Sequence, residues 1–248
     1  MTLRWYCFGG FRVEDDGHEL DLAAVRPRSR ALLRYLAAAG DRSVHREQII
    51  DTLWPDLAES TAVNSLHVAV STLRTFLEPG VARGASRYIV RSGESYRLAV
   101  GSPDQSDVTA FTENYRAGKR AAADGRTATA TGLLRTALQH YDGDLLPEDG
   151  PATWVVAERD RYRAQATTAA GLLAGLELDR GRPAAAATAA RRALELDGHD
   201  DAGWRLLIAA QQRAGDHAAA AHSRLRYDRV LRDLDVAAAR AALTSRAA

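Results

Sequence analysis

Between Glu59 and Glu78 the chain reads ESTAVNSLHVAVSTLRTFLE. Asn64, Ser71, Thr72 and Thr75 supply an amide and three hydroxyls, Val68 an apolar tip, and His67 and Arg74 stand on one flank. Amides and hydroxyls can bond base edges or phosphates, and an apolar side chain can touch a thymine methyl. These residues share a face because Val63, Leu66, Val70, Leu73 and Leu77 recur at steps of three and four, which places the apolar set on the other side of an α-helix. Solvated helix faces usually carry Glu and Lys in i,i+4 pairs. This one is short, polar and almost uncharged, as suits a helix that must enter a groove. An ordinary amphipathic helix with a neutral surface would look the same in isolation, so the neighbouring elements decide.

Those neighbours are ordered. Leu3, Trp5 and Cys7 alternate with Arg4, Tyr6 and Phe8, Phe11 and Val13 follow, and Asp15-Asp16-Gly17 makes a turn before Leu20 and Leu22, so residues 3–22 read as short strands. After Pro27 the spacing becomes helical, with Gly40 as a C-terminal cap. A second helix spans about Arg46–Leu53, then Trp54 and Pro55 lead into the loop before Glu59. Beyond Glu78-Pro79-Gly80 and a loop comes RYIVRSGESYRLAV, residues 87–100, a β-hairpin turning at Ser92–Ser95. Strands, three helices and a hairpin directly after the third helix make a winged helix-turn-helix, in which the third helix enters the major groove.

Gly101–Asp107 reads as a polar linker between a first domain, 1–100, and a second, 108–248. The second is Ala-rich and reads as wholly helical. Gly181-Arg182-Pro183-Ala184-Ala185-Ala186 recurs 34 positions later as Gly215-Asp216-His217-Ala218-Ala219-Ala220, and Leu172-Leu173 recurs as Leu206-Leu207. A period of 34 is that of tetratricopeptide helical hairpins. A third copy begins near Gly125-Arg126, and GDLLPEDGPATW forms an excursion between helices. Stacked hairpins leave a concave surface suited to binding protein.

Composition narrows the class. An apolar share of 46% is ordinary, no run approaches the ~20 residues of a membrane span, and MTLRWYCFGGFRV lacks a signal-peptide core. Cys7 is alone, so neither a disulfide framework nor a cysteine zinc site is expected, and the chain reads as cytoplasmic. His217 and His222 stand at i,i+5 without an H-E-x-x-H pattern and read as surface residues. No P-loop or G-x-S-x-G occurs, and the residues imply no enzyme and call for no cofactor. The net charge is only +1, and residues 1–100 hold 13 arginines against 12 acidic residues. Locally, however, Arg74, Arg83, Arg87, Arg91 and Arg97 face only Glu78 and Glu94 between Ala62 and Val100. Phosphate attraction is therefore modest and confined to that region.

Taken together, RPRSRALLRYLAAAGDRSVHREQIIDTLWPD, NSLHVAVSTLRTFLEPG and YIVRSGESYRLAV resemble the OmpR-type winged helix of the antibiotic regulatory protein (SARP) family. LLRTALQHYDGDLL, WVVAERDRYR, RRALELDGHDDAGWRLLIAAQQRAGD and LRYDRVLRDLDV resemble the bacterial transcriptional activation domain that follows it there. The expected fold class is mainly α with a small N-terminal β part, a winged helix followed by a tetratricopeptide-like repeat. The resemblance implies an activator that binds direct repeats in double-stranded promoter DNA, beside a second protomer, and holds RNA polymerase there to switch on a biosynthetic cluster. Carried over, Asn64, His67, Val68, Ser71, Thr72 and Arg74 match recognition-helix contacts. Arg74 and Ser71 would hold phosphates, and Val68, Thr72 and His67 would face bases. Arg91, Ser92 and Tyr96 match wing contacts, while Trp54, Asp56 and Leu57 match the loop that meets polymerase.

Three positions depart from the family pattern: His45 at the cap of the second helix, Ser95 where the wing usually has Gly, and Asp235 where a capping Gly is expected. A helical-repeat adaptor with a non-functional winged helix, or a repressor, is also compatible with the residues, because nothing in their chemistry encodes the sign of regulation.

Overall fold

The computed structural model describes residues 2–82 and 84–246, with side chains as far as Leu234. Arg83, counted above in the local charge, and the side chain of Asp235 lie outside the described residues. Two compact units result, residues 1–114 with 139–161 and residues 115–138 with 162–248. Compactness thus divides the chain differently from the sequence-derived limits 1–100 and 108–248, because two pieces beyond the supposed linker pack with the first unit.

The first unit opens with an antiparallel meander of β1 (Leu3–Tyr6), β2 (Arg12–Asp15) and β3 (His18–Glu19). The β2–β3 turn has Asp16 at φ +47 and Gly17 at φ +87, the left-handed pair that a two-residue primed turn requires. Then come α1 (Pro27–Ala38), β4 (Val44–His45), α2 (Arg46–Leu53), α3 (Glu59–Leu77), β5 (Ile89–Ser92) and β6 (Ser95–Leu98). The strands β4, β6 and β5 form a second sheet in that spatial order, with Val44 opposite Tyr96 and Arg91 opposite Tyr96 on the other side. The two-residue β4 was not legible in the sequence, since so short a segment shows no alternation.

The three helices bury Leu32, Leu33, Leu36, Ile49, Leu53, Leu66, Val70, Leu73 and Leu77 against one another. Each such side chain is worth roughly 1.5–3 kcal/mol. On α3 the buried stripe also takes in Ala62 and Ala69, and Val63 is only half-buried at its margin. His45 does cap α2: its Nδ1 accepts from the Glu47 N–H at 3.4 Å, a long bond that an imidazole can still supply.

Ser106 and Asp107, the end of the supposed linker, are buried. Asp107 begins α4 (Asp107–Ala123), and its carboxylate accepts from the backbone N–H groups of Cys7 (2.7 Å), Phe8 (2.8 Å) and Val108 (2.7 Å). Phe8, Phe111 and Tyr141 form an aromatic cluster with centroids 4.8–5.7 Å apart. The expected excursion docks here. Leu146 N–H donates to Cys7 O, Gly9 N–H donates to Asp144 O, and Arg34 holds Asp149 through two 2.7 Å bonds. From the helix that follows, Arg159 donates to the carbonyls of Leu145, Leu146 and Gly150 within that excursion.

The second unit continues α4 and α5 (Thr127–His140), then α6 (Thr153–Asp179), α7 (Pro183–Leu196), α8 (Asp201–Arg213) and α9 (His217–Arg246). Its sequence repeat has one structural cause. Gly125, Gly181 and Gly215 each take a φ near +70° and end a helix in the same double bond: N–H of the glycine to the carbonyl three back, and N–H of the next residue to the carbonyl five back. This is the Schellman closure, which only a residue free to turn left-handed completes cheaply. The carbonyl that accepts from five residues on belongs to Glu177 in one copy and to Gln211 in the copy 34 residues on, and both side chains are buried. Glu177 accepts from Arg135 at 2.7 Å and pairs with Arg182 at 2.6 Å. His217 and His222 are exposed on α9.

Candidate nucleic-acid interface

With the apolar stripe of α3 turned inward, Asn64, His67, Val68, Ser71 and Thr75 are left exposed, and Val68 keeps 48% of its surface. No charged side chain lies among them. Thr72 and Arg74 are half-buried on opposite edges of that face. A 19-residue helix is about 28 Å long, so its exposed face can follow a groove about 12 Å wide along several base pairs.

Arg74 is engaged within the fold. Its Nε and Nη2 donate to the Ile89 carbonyl at 3.0 and 2.7 Å, tying the last turn of α3 to the first residue of β5. One turn further, Glu78 caps the helix by backbone and turns its carboxylate into the following loop. It accepts from the Ser86 hydroxyl (2.5 Å), the Arg87 N–H (3.0 and 3.1 Å), the Arg87 guanidinium (3.3 Å) and the Tyr88 N–H (3.5 Å). Burial pushes the Glu78 carboxyl up, but these donors outweigh it and hold the group below its ordinary value of 4.5. Arg74 and Glu78, at i,i+4, form a two-point clamp that sets the distance from α3 to the wing.

The wing itself is the β5–β6 hairpin. Gly93, at φ +58, takes the first position of its two-residue turn, and Ser95 pairs with Ser92 on one side and His45 on the other. The hairpin therefore closes without the glycine expected at 95. Arg91 and Ser92 are exposed near the tip. Tyr96 is not: it is 3% exposed and supports Arg91, whose guanidinium carbon lies 5.8 Å from its ring centroid.

Asn64, His67, Val68, Ser71, Arg74, Arg91 and Tyr96 all line one open cleft of about 730 Å³ between α3 and the wing. Thr72 and Ser92 do not. At about 100° per residue, Thr72 points round α3 away from the Arg74 edge that meets the wing. The remaining wall is the loop after α3, including Val81, 44% exposed, with Ala82, Gly84 and Ser86. Sequence reasoning passed over that loop. Its only signal was position, since a short connection from recognition helix to wing must run between them.

The second predicted group is dispersed. Trp54 is 6% exposed and ends α2, its N–H on the Ile50 carbonyl, so it anchors the α2–α3 loop. Asp56 and Leu57 are exposed, Leu57 at 42%. Among the described residues, no group of metal-ligating side chains occurs and no helix is long and apolar enough to cross a membrane. Cys7 is buried, and burial with the nearby Asp107 and Glu148 charges pushes its thiol well above its ordinary value.

Residues 20–98 match the C-terminal domain model of transcriptional regulatory proteins, and residues 106–247, more than half the chain, match the bacterial transcriptional activator domain. The chain belongs to the bacterial transcriptional activator domain family. The OmpR-type winged helix followed by this activator domain is the arrangement of the SARP regulators. Among relatives, regulatory protein AfsR of Streptomyces coelicolor is 33% identical over 146 residues, 58% of this chain and 14% of that protein. Transcriptional regulatory protein EmbR of Mycobacterium tuberculosis is 32% identical over 123 residues, 49% of this chain and 31% of the relative. Transcriptional regulatory protein MoaR1 of the same species is 28% identical over 121 residues, 48% and 38% respectively. The matches thus span 14–38% of these relatives. A solved structure of M. tuberculosis EmbR in complex with a low-affinity phosphopeptide superposes with a TM-score of 0.73 at 23% identity, covering 94% of this chain and 65% of that one, which establishes the shared fold.

Proposed function

We propose that this member of the bacterial transcriptional activator domain family is a sequence-specific DNA-binding transcription activator. It binds direct repeats in promoter DNA and recruits RNA polymerase to a secondary-metabolite gene cluster. The observation that carries the reading is the cleft in which the uncharged face of α3 and Arg91 of the wing converge. Asn64, Ser71 and His67 offer donors and acceptors, and Val68 offers an apolar tip for a thymine methyl. Arg91 reaches a phosphate, and Ser92 extends the same contact along the backbone. Arg74 acts on the phosphates through the wing it holds as well as by its charge. The relatives are named as regulatory and transcriptional regulatory proteins, which supports regulation of transcription. Exposed Asp56 and Leu57, presented by buried Trp54, are the surface proposed for polymerase.

Two protomers would share one face of the duplex if the repeat centres lie about one helical turn, ~10–11 bp, apart. The test is a salt series of binding to a promoter repeat and to random DNA of equal length. A specificity ratio of ~10³ or more with a steep salt slope is expected. Equal, weak binding to both would sink the reading and leave a protein-binding adaptor. Val68→Ala should lose ~1–3 kcal/mol on sites carrying its base and little on random DNA. Measured by competition between operator variants, an equal loss on all sequences would remove Val68 from the base-reading set.

A further inference from the structure

Glu94 stands second in the wing turn, directly after Gly93, and its carboxylate lies between two arginines. Oε1 accepts from Arg91 Nη2 at 3.2 Å, and Oε2 pairs with Arg46 Nη1 at the start of α2. The three side chains are all partly open to solvent. Arg91 is also bent back onto the Gly93 carbonyl at 2.8 Å, although the same guanidinium lines the cleft beside α3. Thus the cation at the wing tip that is best placed to meet DNA already has an anion of the same hairpin in the position of a phosphate.

We propose that Glu94 is an internal competitor for the DNA backbone, which holds Arg91 and Arg46 back and sets the overall affinity of the wing for phosphate. The proposal rests on the DNA-binding reading. Phosphate attraction is sequence-independent and depends on the positive charge brought to the duplex. With Glu94 between them, the two arginines present a single net charge, and without it they present two. An exposed ion pair of this kind is weak, so a phosphate can displace it, at a cost in affinity. The fold does not need the carboxylate, because β4 and β6 are joined by backbone pairing and by the Arg46 N–H on the Glu94 carbonyl oxygen at 2.8 Å.

Glu94→Gln in the full chain should tighten binding to both random and promoter DNA roughly three- to tenfold at low salt, and steepen the salt slope by up to about one unit. The gain should disappear when Arg46 and Arg91 are both replaced by Gln. Glu94→Ser, which keeps a small polar residue in the turn, should behave like Glu94→Gln, and it serves should the first variant fold poorly. Unchanged affinity in both variants, while the unaltered chain still discriminates promoter from random DNA, would overturn the competitor role and leave the DNA reading standing. A full gain that survives removal of both arginines would overturn it as well. If the unaltered chain binds neither DNA, the underlying reading itself has failed.

Discussion

Glu78→Ala is expected to lower folding stability by about 3 kcal/mol and to weaken DNA binding more than tenfold through loss of wing geometry. The alanine removes the acceptor for the Ser86 hydroxyl and for the Arg87 and Tyr88 N–H groups at a position where the Glu78 side chain is buried. Leaving buried donors unsatisfied costs ~1–3 kcal/mol each, partly offset because a buried carboxylate no longer has to be desolvated. Urea denaturation should show a lower midpoint with an unchanged m-value. Glu78→Gln keeps the shape and one acceptor oxygen, so it should lose less. Because the folded Glu78 carboxyl sits below 4.5, its contribution is present above that pH and is lost as pH falls through the folded value. The stability difference between the native chain and Glu78→Gln should therefore narrow on acidification below about pH 4.5. A midpoint unchanged at pH 7 in Glu78→Ala would refute the clamp.

Asp107→Ala should cost the first unit about 3 kcal/mol as well, by a different route. Here a buried carboxylate accepts from the backbone N–H groups of Cys7 and Phe8, just past the end of β1. Burial dominates its titration. The carboxyl is pushed up to about 6, with the N–H bonds of Phe8, Cys7 and Val108 and the charge of Arg12 opposing. The sign is thus the reverse of Glu78. The stabilisation from Asp107 is fully present below its ordinary value of 3.8 and is lost as pH rises through about 6. The difference in unfolding free energy between the native chain and Asp107→Ala should be larger at pH 4 than at pH 7. Chemical denaturation at the two values measures it, and a difference that grew towards pH 7 would contradict the assignment.

These two carboxylates also show where reading the sequence stopped. Asp107 sits in GSPDQSD, whose polar composition describes a linker, and composition cannot report that Ser106 and Asp107 are covered by a strand 100 positions earlier. Glu78 counted as one negative charge against the local arginines, whereas in the fold its charge is used up on the loop beside it. Tyr96 and Trp54 matched contact positions in the family pattern, and the fold buries both rings beneath the residues that reach solvent.

What the chain declared by itself was periodic or conformational. The three-and-four spacing of Leu66, Val70, Leu73 and Leu77 determined both faces of α3, because a helix permits only one arrangement of side chains around its axis. Gly125, Gly181 and Gly215 marked the helical repeat, because only glycine closes those turns without strain. Tertiary structure alone decided that Arg74 and Glu78 clamp the wing, that Val81 and Ser86 wall the cleft, and that residues 139–161 fold with the winged helix. Each of these depends on partners remote in sequence or on the direction a single side chain takes, and neither distance in space nor side-chain direction is encoded in a local pattern.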